Sequence, residues 1–259
     1  MTWTVENCTN LRSLSVIECK LKMPAFVSLL TRLSQLVTLA FSVQSFNDLR
    51  KDVFTPCQNI LKHLKSLHVF YNSREVAVMQ YLGEHQTIFD HCDSLEHIHI
   101  GCAGMAIPEL YRPIVTEPSK LTKLKSMCIS SNIHSGAQML FYGTLSQLPN
   151  HSINFETLLM PNVNFCEFMR KDEFKPCLQN ISQLKHLDIY GTKVSFPLQF
   201  INALVRASEL EYLNLGSSCV TEAQLSLIAS HCRKLTSLNL FNCSEVIQVS
   251  VSLEFKKIR

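Results

Sequence analysis

Three residues at matching places along this chain have types that chemistry uses: His68, His99 and Cys128. Two imidazoles and a thiol with a vacant fourth place would resemble the ligand shell of a catalytic zinc. His99 beside Cys128 could also be drawn as a thiol–imidazole pair for nucleophilic attack. Either chemistry needs convergent groups, an enclosing loop and donors aimed at a developing charge, and the neighbouring sequence supplies none of them. There is no GxGxxG, P-loop, HExxH or GxSxG, and the seven glycines are too scattered to cradle a phosphate. A zinc or thiol site at these positions is therefore the minor reading. The main expectation is a chain with no catalytic residues, no bound metal and no cofactor.

What brings the three into line is a repeat. Nine segments share the pattern apolar-x-x-apolar-x-apolar, led by Leu11, Leu36, Leu64, Leu95, Leu124, Phe155, Leu184, Leu210 and Leu235. Eight intervals span 224 residues, a mean of 28, with extremes of 25 and 31. Such regularity marks a solenoid. The pattern predicts strands near 11–16, 36–41, 64–69, 95–100, 124–129, 155–160, 184–189, 210–215 and 235–240. Because side chains alternate along a strand, the fourth and sixth positions of each segment face one side, toward a core. Stretches of helical period lie between, starting at Pro24, Glu75, Ala137, Pro197 and Glu222. Pro24 and Pro197 suit a first helical position, and Thr221 suits an N-cap. The expected fold is α/β: about nine strand–turn–helix units in one array over 1–259, each unit burying its apolar face only by stacking on neighbours.

One passage occurs twice. LRKDVFTPCQNILKHLKSLHVFY from Leu49 returns as MRKDEFKPCLQNISQLKHLDIY from Met169, 120 residues or four units later. Duplication of a four-unit block explains it, with Arg50-Lys51-Asp52 and Arg170-Lys171-Asp172 as equivalent surface segments on the helical side.

Composition removes other classes. Hydrophobic residues make up 46% of the 259 and charged residues 17%, with a net charge of +3, so the chain is globular and not basic enough to argue for nucleic acid. No apolar run reaches the ~18–20 residues of a membrane span, and the first twenty residues lack a basic start and an unbroken apolar stretch, so no secretory signal is expected. Eleven cysteines, an odd number with no CxxC, then read as reduced thiols in a cytoplasmic or nuclear setting. The sequons at Asn7, Asn150, Asn180 and Asn242 would go unread there.

The stretch VTEAQLSLIASHCRKLTSLNLFNCSEV, Val220 to Val246, resembles the cysteine-containing subfamily of leucine-rich repeats. Val220-Thr221, Leu225, Ile228-Ala229, Cys232, Leu235, Leu238, Leu240 and Cys243 match that unit in order, with Glu222 and Arg233 departing mildly. Cys8, Leu11, Leu14, Val16 and Cys19 match its second half, and Cys92 with Leu95, Ile98 and Ile100 matches in part. The resemblance implies a horseshoe with its parallel sheet on the concave face. It also implies substrate-recognition repeats of the kind found in F-box proteins, whose F-box binds the adaptor of a cullin-RING ubiquitin ligase. The stretch before Cys8 is too short to hold an F-box, so adaptor binding is expected only if one exists outside this chain. A stand-alone interaction scaffold is the alternative. Past Val246, Val249, Val251, Leu253 and Phe255 alternate with polar residues, so 246–259 reads as an atypical end or closing strand.

The third, fifth and seventh positions then face outward on the sheet. They hold small polar residues, histidines and a few aromatics, with Asp188 the single formal charge when histidine is neutral. Phosphates require many Lys and Arg, so the expected partner is a protein. The candidate binding residues on the concave face are Phe70, His97, His99, His186, Asp188, Tyr190, Tyr212, Asn214, Asn239 and Phe241. Aromatics such as Tyr190, Tyr212 and Phe241 bury large area at little entropic cost.

Overall fold

The computed structural model describes residues 8–19, 22–43, 51–71, 88–102, 121–131, 154–161, 181–191 and 195–244. Nine strands form one parallel sheet in unbroken sequence order. They are β1 Ser13–Val16, β2 Thr38–Val43, β3 Ser66–Tyr71, β4 His97–Cys102, β5 Ser126–Ser131, β6 Thr157–Leu159, β7 His186–Asp188, β8 Tyr212–Asn214 and β9 Ser237–Asn239. Register follows the repeat without slippage, with Leu39, Leu67, Ile98, Met127, Leu158, Leu187 and Leu213 in line across the sheet. All seven are buried, and so is the next inward row from Val16 through Leu215. The corresponding residues of the outermost described strands, Leu14, Leu238 and Leu240, are only partly buried.

Helices cover the inward face. They are α1 (Met23–Leu30), two single turns α2 (Lys51–Phe54) and α3 (Gln58–Leu61), α4 (Leu198–Leu204) and α5 (Glu222–His231), with short 3-10 turns at Thr55–Cys57 and Ile88–His91. Phe26 of α1 meets Phe41 of β2 at 5.1 Å between ring centroids, and Phe41 meets Phe54 of α2 at 6.0 Å. Thr221 caps α5 through a capping box: its hydroxyl accepts from the Gln224 N–H, and the Gln224 side chain accepts from the Thr221 N–H. The prolines sit one place from their expected positions. Pro24 is the second residue of α1, and Pro197 is the N-cap of α4. The helix expected from Glu75 is described only at its end, as the turn Ile88–His91. The helix from Ala137, the Arg170-Lys171-Asp172 surface segment and the closing strand over 246–259 lie outside the described residues.

Strand length divides the array, and single side chains set it. β2 to β5 run six residues, whereas β7, β8 and β9 stop after three. In those short strands the last residue is Asp188, Asn214 or Asn239. Each turns its side-chain oxygen back to accept from the N–H two residues ahead: Tyr190 at 2.9 Å, Gly216 at 3.1 Å and Phe241 at 2.9 Å. This Asx turn takes the backbone out of the ladder. The equivalent residues of β2 to β5 are Ala40, His68, His99 and Cys128, which do not make it. β6 stops at Leu159 for another reason, since Pro161 has no N–H to extend the ladder. Three residues past each short end the chain passes through left-handed backbone, at Gly191, Ser217 and Asn242.

The residue immediately before each strand from β3 to β8 alternates in charge: Lys65, Glu96, Lys125, Glu156, Lys185, Glu211. Their backbones are stacked, each N–H donating to the carbonyl of the one before at 2.8 Å from Glu96 onward. Glu96 binds Lys65 at 2.8 Å through one oxygen and Lys125 at 2.6 Å through the other, and Glu156 binds Lys185 at 2.9 Å. The hydrogen bonds from Lys125, then Lys65, hold the Glu96 carboxyl down at about 2.

Candidate protein-binding face

Alternation of side chains puts the first, third and fifth residues of each long strand on the side away from the helices. That open face divides into two clusters, separated by β5 and β6.

The first cluster lies on β3 and β4. His68 and His99 are half-buried, with Nδ1 atoms 3.5 Å apart and rings edge to face at 73°. Their outer nitrogens are engaged by serines, Ser66 Oγ at 2.8 Å from His68 Nε2 and Ser130 Oγ at 2.9 Å from His99 Nε2. Burial, and then a neighbouring imidazole, moves both below the ordinary histidine range. They are neutral at pH 7. Phe70 packs its ring edge-on to His99 at 4.9 Å. It lies across Gly101 of the next strand, where an added Cβ would come within 2.4 Å of the ring. Glycine there lets the ring lie flat on backbone. His97, the exposed member, bonds Ser126 Oγ at 2.7 Å.

Cys128, opposite His99 on β5, is half-buried, and burial, then Asp188, pushes its thiol up to about 11. A protonated thiol beside neutral imidazoles is the reverse of an activated nucleophile. Among the described residues no three His, Cys, Asp or Glu converge on a metal-sized site, so the three-ligand zinc shell drawn from His68, His99 and Cys128 is not assembled.

The second cluster spans β7 to β9. Phe241 is 69% exposed, the most open large apolar side chain among the described residues. Tyr190 lies over Gly216 as Phe70 lies over Gly101, with a Cβ there 2.8 Å from the ring. His186 bonds Thr157 Oγ1 at 3.2 Å and sits 6.4 Å from the ring of Tyr212. Asn214 differs from its neighbours in the sequence-based set. It is only 7% exposed, accepts from Gly216 N–H and donates to Asp188 Oδ2 at 3.0 Å. Asp188, Asn214 and Asn239 thus spend side-chain oxygens on the turn, and Asn214 lies beneath the surface. The two clusters are not one patch: β4 and β7 stand three strand spacings apart, ~14 Å. Two features of the site escaped the sequence reading, the glycines under the aromatics and the Asx turns. The signal for the first is an aromatic at the seventh position followed by Gly at the seventh position of the next unit.

Cys8, Cys19, Cys57, Cys92, Cys128, Cys219, Cys232 and Cys243 are free thiols. Two of them tie one unit to the one before: Cys232 Sγ donates to Leu204 O at 3.3 Å and Cys243 Sγ to Leu215 O at 3.2 Å. No helix among the described residues is long and apolar enough to cross a membrane.

An open parallel sheet, one strand per unit, backed by helices, is the leucine-rich-repeat solenoid. Solved structures agree. Internalin InlF of Listeria monocytogenes aligns with 98% of this chain and 68% of its own at 16% identity and a TM-score of 0.53. Internalin C2 of the same bacterium aligns over 88% and 80% at 14% identity and a TM-score of 0.50. The yeast Rad7–Elc1 complex aligns more weakly, with a TM-score of 0.43 at 13% identity over 95% and 74%. The fold rests on the two internalins, and at such identities their likeness speaks to fold alone. No protein-family model and no curated protein matches the sequence.

Proposed function

We propose that this array is a protein-recognition module that holds a protein partner on the open face of its sheet, the concave face of the family's horseshoe. The observation that carries the reading is the chemistry of that face. From β3 to β9 it presents histidines, serines and aromatics, no lysine or arginine, and a single carboxylate already bonded to Tyr190 N–H and Asn214. Such a face lacks the cations a phosphate backbone requires and has the aromatic anchors of a protein interface. Phe70, His97 and His99 form one contact area, and His186, Tyr190, Tyr212 and Phe241 the other.

The partner class follows from the repeat type. Cysteine-containing units, with Cys232 and Cys243 bonded to the preceding unit, support a substrate-recognition role in an F-box-type ubiquitin ligase acting in protein degradation, in the cytoplasm or nucleus. The domain proposal is one array over 1–259, with 246–259 as an atypical C-terminal end or cap. The test is affinity capture of the endogenous protein with mass spectrometry of everything retained, beside a Tyr212→Ala/Phe241→Ala variant. Ligase adaptor and cullin peptides, with a further partner that the double variant loses at least tenfold, are the expected result. Retention of the same partners by wild type and variant would overturn the assignment to this face. Partners lost by the variant with no ligase subunits would leave the interaction module and sink the ligase role.

A further inference from the structure

We propose that His68 and His99 form a two-histidine chelate for a divalent transition metal such as zinc, held between their Nδ1 atoms on the open face. Three observations converge on it. The first is the separation: the facing nitrogens are 3.5 Å apart. That is long for an N–H···N hydrogen bond, where ~2.7–3.2 Å is usual. Two nitrogens each ~2.0–2.1 Å from a tetrahedral zinc stand ~3.3–3.5 Å apart. The pair is too open to satisfy itself well and is spaced for an ion.

The second is direction. The ring centroids are 5.5 Å apart and the planes cross at 73°. Centroids only about 2 Å further apart than the nitrogens mean that the two Nδ1 atoms sit on the facing sides of their rings, close to the line between the centroids. A shared ion near 2.1 Å from each nitrogen would set the centroids ~5.4 Å apart. Coordination therefore needs little movement, on adjacent strands whose register is fixed along six residues.

The third is the outer shell. Metal-binding histidines usually give their other ring N–H to a partner, which fixes the tautomer and the ring. Both histidines have one: Ser66 Oγ at His68 Nε2 and Ser130 Oγ at His99 Nε2. In the tautomer that donates both Nε2 protons to these hydroxyls, the two Nδ1 lone pairs face each other, and a cation between them favours that tautomer over the long Nδ1–H···Nδ1 bond. Phe70 closes one side of His99 and limits its rotation. Two protein ligands make an open site, so water takes the remaining coordination positions.

The experiment is isothermal titration of the full chain with zinc, and with nickel as a second probe. One zinc per chain is expected, in the micromolar range. His68→Ala and His99→Ala should each weaken binding more than tenfold. Ser66→Ala and Ser130→Ala should weaken it by ~10-fold or more through lost orientation. His97→Ala, which removes an exposed histidine of the same strand, should leave affinity unchanged. Nitrogen-15 spectra of the wild-type imidazoles provide a readout independent of any variant's folding: zinc should move the Nδ1 resonances of two histidines and leave their Nε2 protonated. Absence of binding at millimolar zinc, equal losses in His97→Ala and His99→Ala, or shifts at Nε2 instead of Nδ1 would each overturn the site.

Discussion

Asn214 and Asn239 make the same turn in consecutive units under different burial, so they test whether the Asx contact stabilises the array. Asn214→Ala removes two bonds at a position that is 7% exposed. The buried Gly216 N–H loses its acceptor, which costs ~1–3 kcal/mol because water cannot replace it. Asp188 loses the Asn214 donor but keeps Tyr190 N–H and is half open to solvent, adding ~0.5–1.5 kcal/mol. The sum is ~1.5–4.5 kcal/mol. Asn239→Ala frees the exposed Phe241 N–H, which water satisfies, for ~0–1 kcal/mol. In urea, with a slope of ~2 kcal/mol/M, the midpoint should fall by ~1–2 M for Asn214→Ala and by under ~0.5 M for Asn239→Ala. Circular dichroism and tyrosine fluorescence should be followed together, since repeat arrays can unfold in stages. Asn214→Asp adds a sign test: it keeps the acceptor for Gly216 but sets a second carboxylate against Asp188. One of the pair then titrates above the ordinary range, and lost stability returns on acidification as it protonates. Equal midpoint shifts for the two alanine variants, or an Asp variant indifferent to pH, would refute the account of the short strands.

Other outcomes follow from the same contacts. Leu213→Ala, at a fully buried strand position, should cost ~2–5 kcal/mol, and Leu238→Ala in the partly buried terminal unit clearly less, by equilibrium denaturation. Glu96, held at about 2 against an ordinary 4.5, contributes stability that is full above pH 4.5 and lost as pH falls through about 2. Glu96→Gln should flatten the acid limb of a stability–pH curve over that window and leave its alkaline limb alone. Burial raises Cys57 and Cys232 from 9.0 to about 11, so the unfolded chain sheds those protons first and stability should fall between pH 9 and 11. Cys232→Ala should remove part of that alkaline slope in the same assay. Gly101→Ala should drive the Phe70 ring off the neighbouring strand, seen as a change in the His99 imidazole resonances with little loss of helix signal.

The solenoid was legible because its signal is redundant. Nine Leu-type triplets at a 28-residue mean spacing define parallel strands whatever lies between them, and Leu67, Ile98 and Met127 sit in register as that pattern requires. Alternation was enough to put His68, His99, Tyr190 and Tyr212 on the same face. It could not say what a side chain does once there. Asn214 reads as an exposed polar residue by position, and only the turn geometry shows its oxygen bound to Gly216 N–H. Cys128 and the histidines read as potential chemistry, and only burial shows a thiol pushed away from ionisation. Pro197 was one place out because its fixed φ of -65° fits a helix start with either ψ, and here ψ is extended at 152°, which makes it the N-cap. The charge alternation before the strands was plain in the sequence, at the second position of the motif, which periodicity of apolar residues does not inspect.

That alternation gives the array a parity. Reading Lys65, Glu96, Lys125, Glu156, Lys185, Glu211, each unit presents a sign that its neighbours oppose. A gain or loss of a single unit within this stretch would set lysine against lysine, or carboxylate against carboxylate, at the mouth of adjacent strands. A gain of two or four would not. The 120-residue echo between Leu49 and Met169 is an even step, and it brings Lys65 round to Lys185 with its sign preserved. Recombination between units is thereby filtered by count: even exchanges keep every junction neutral, and odd ones leave a like-charge seam. The ladder that links neighbouring units in the folded chain thus sets a small electrostatic preference, of the size of exposed ion pairs, for even changes in unit number.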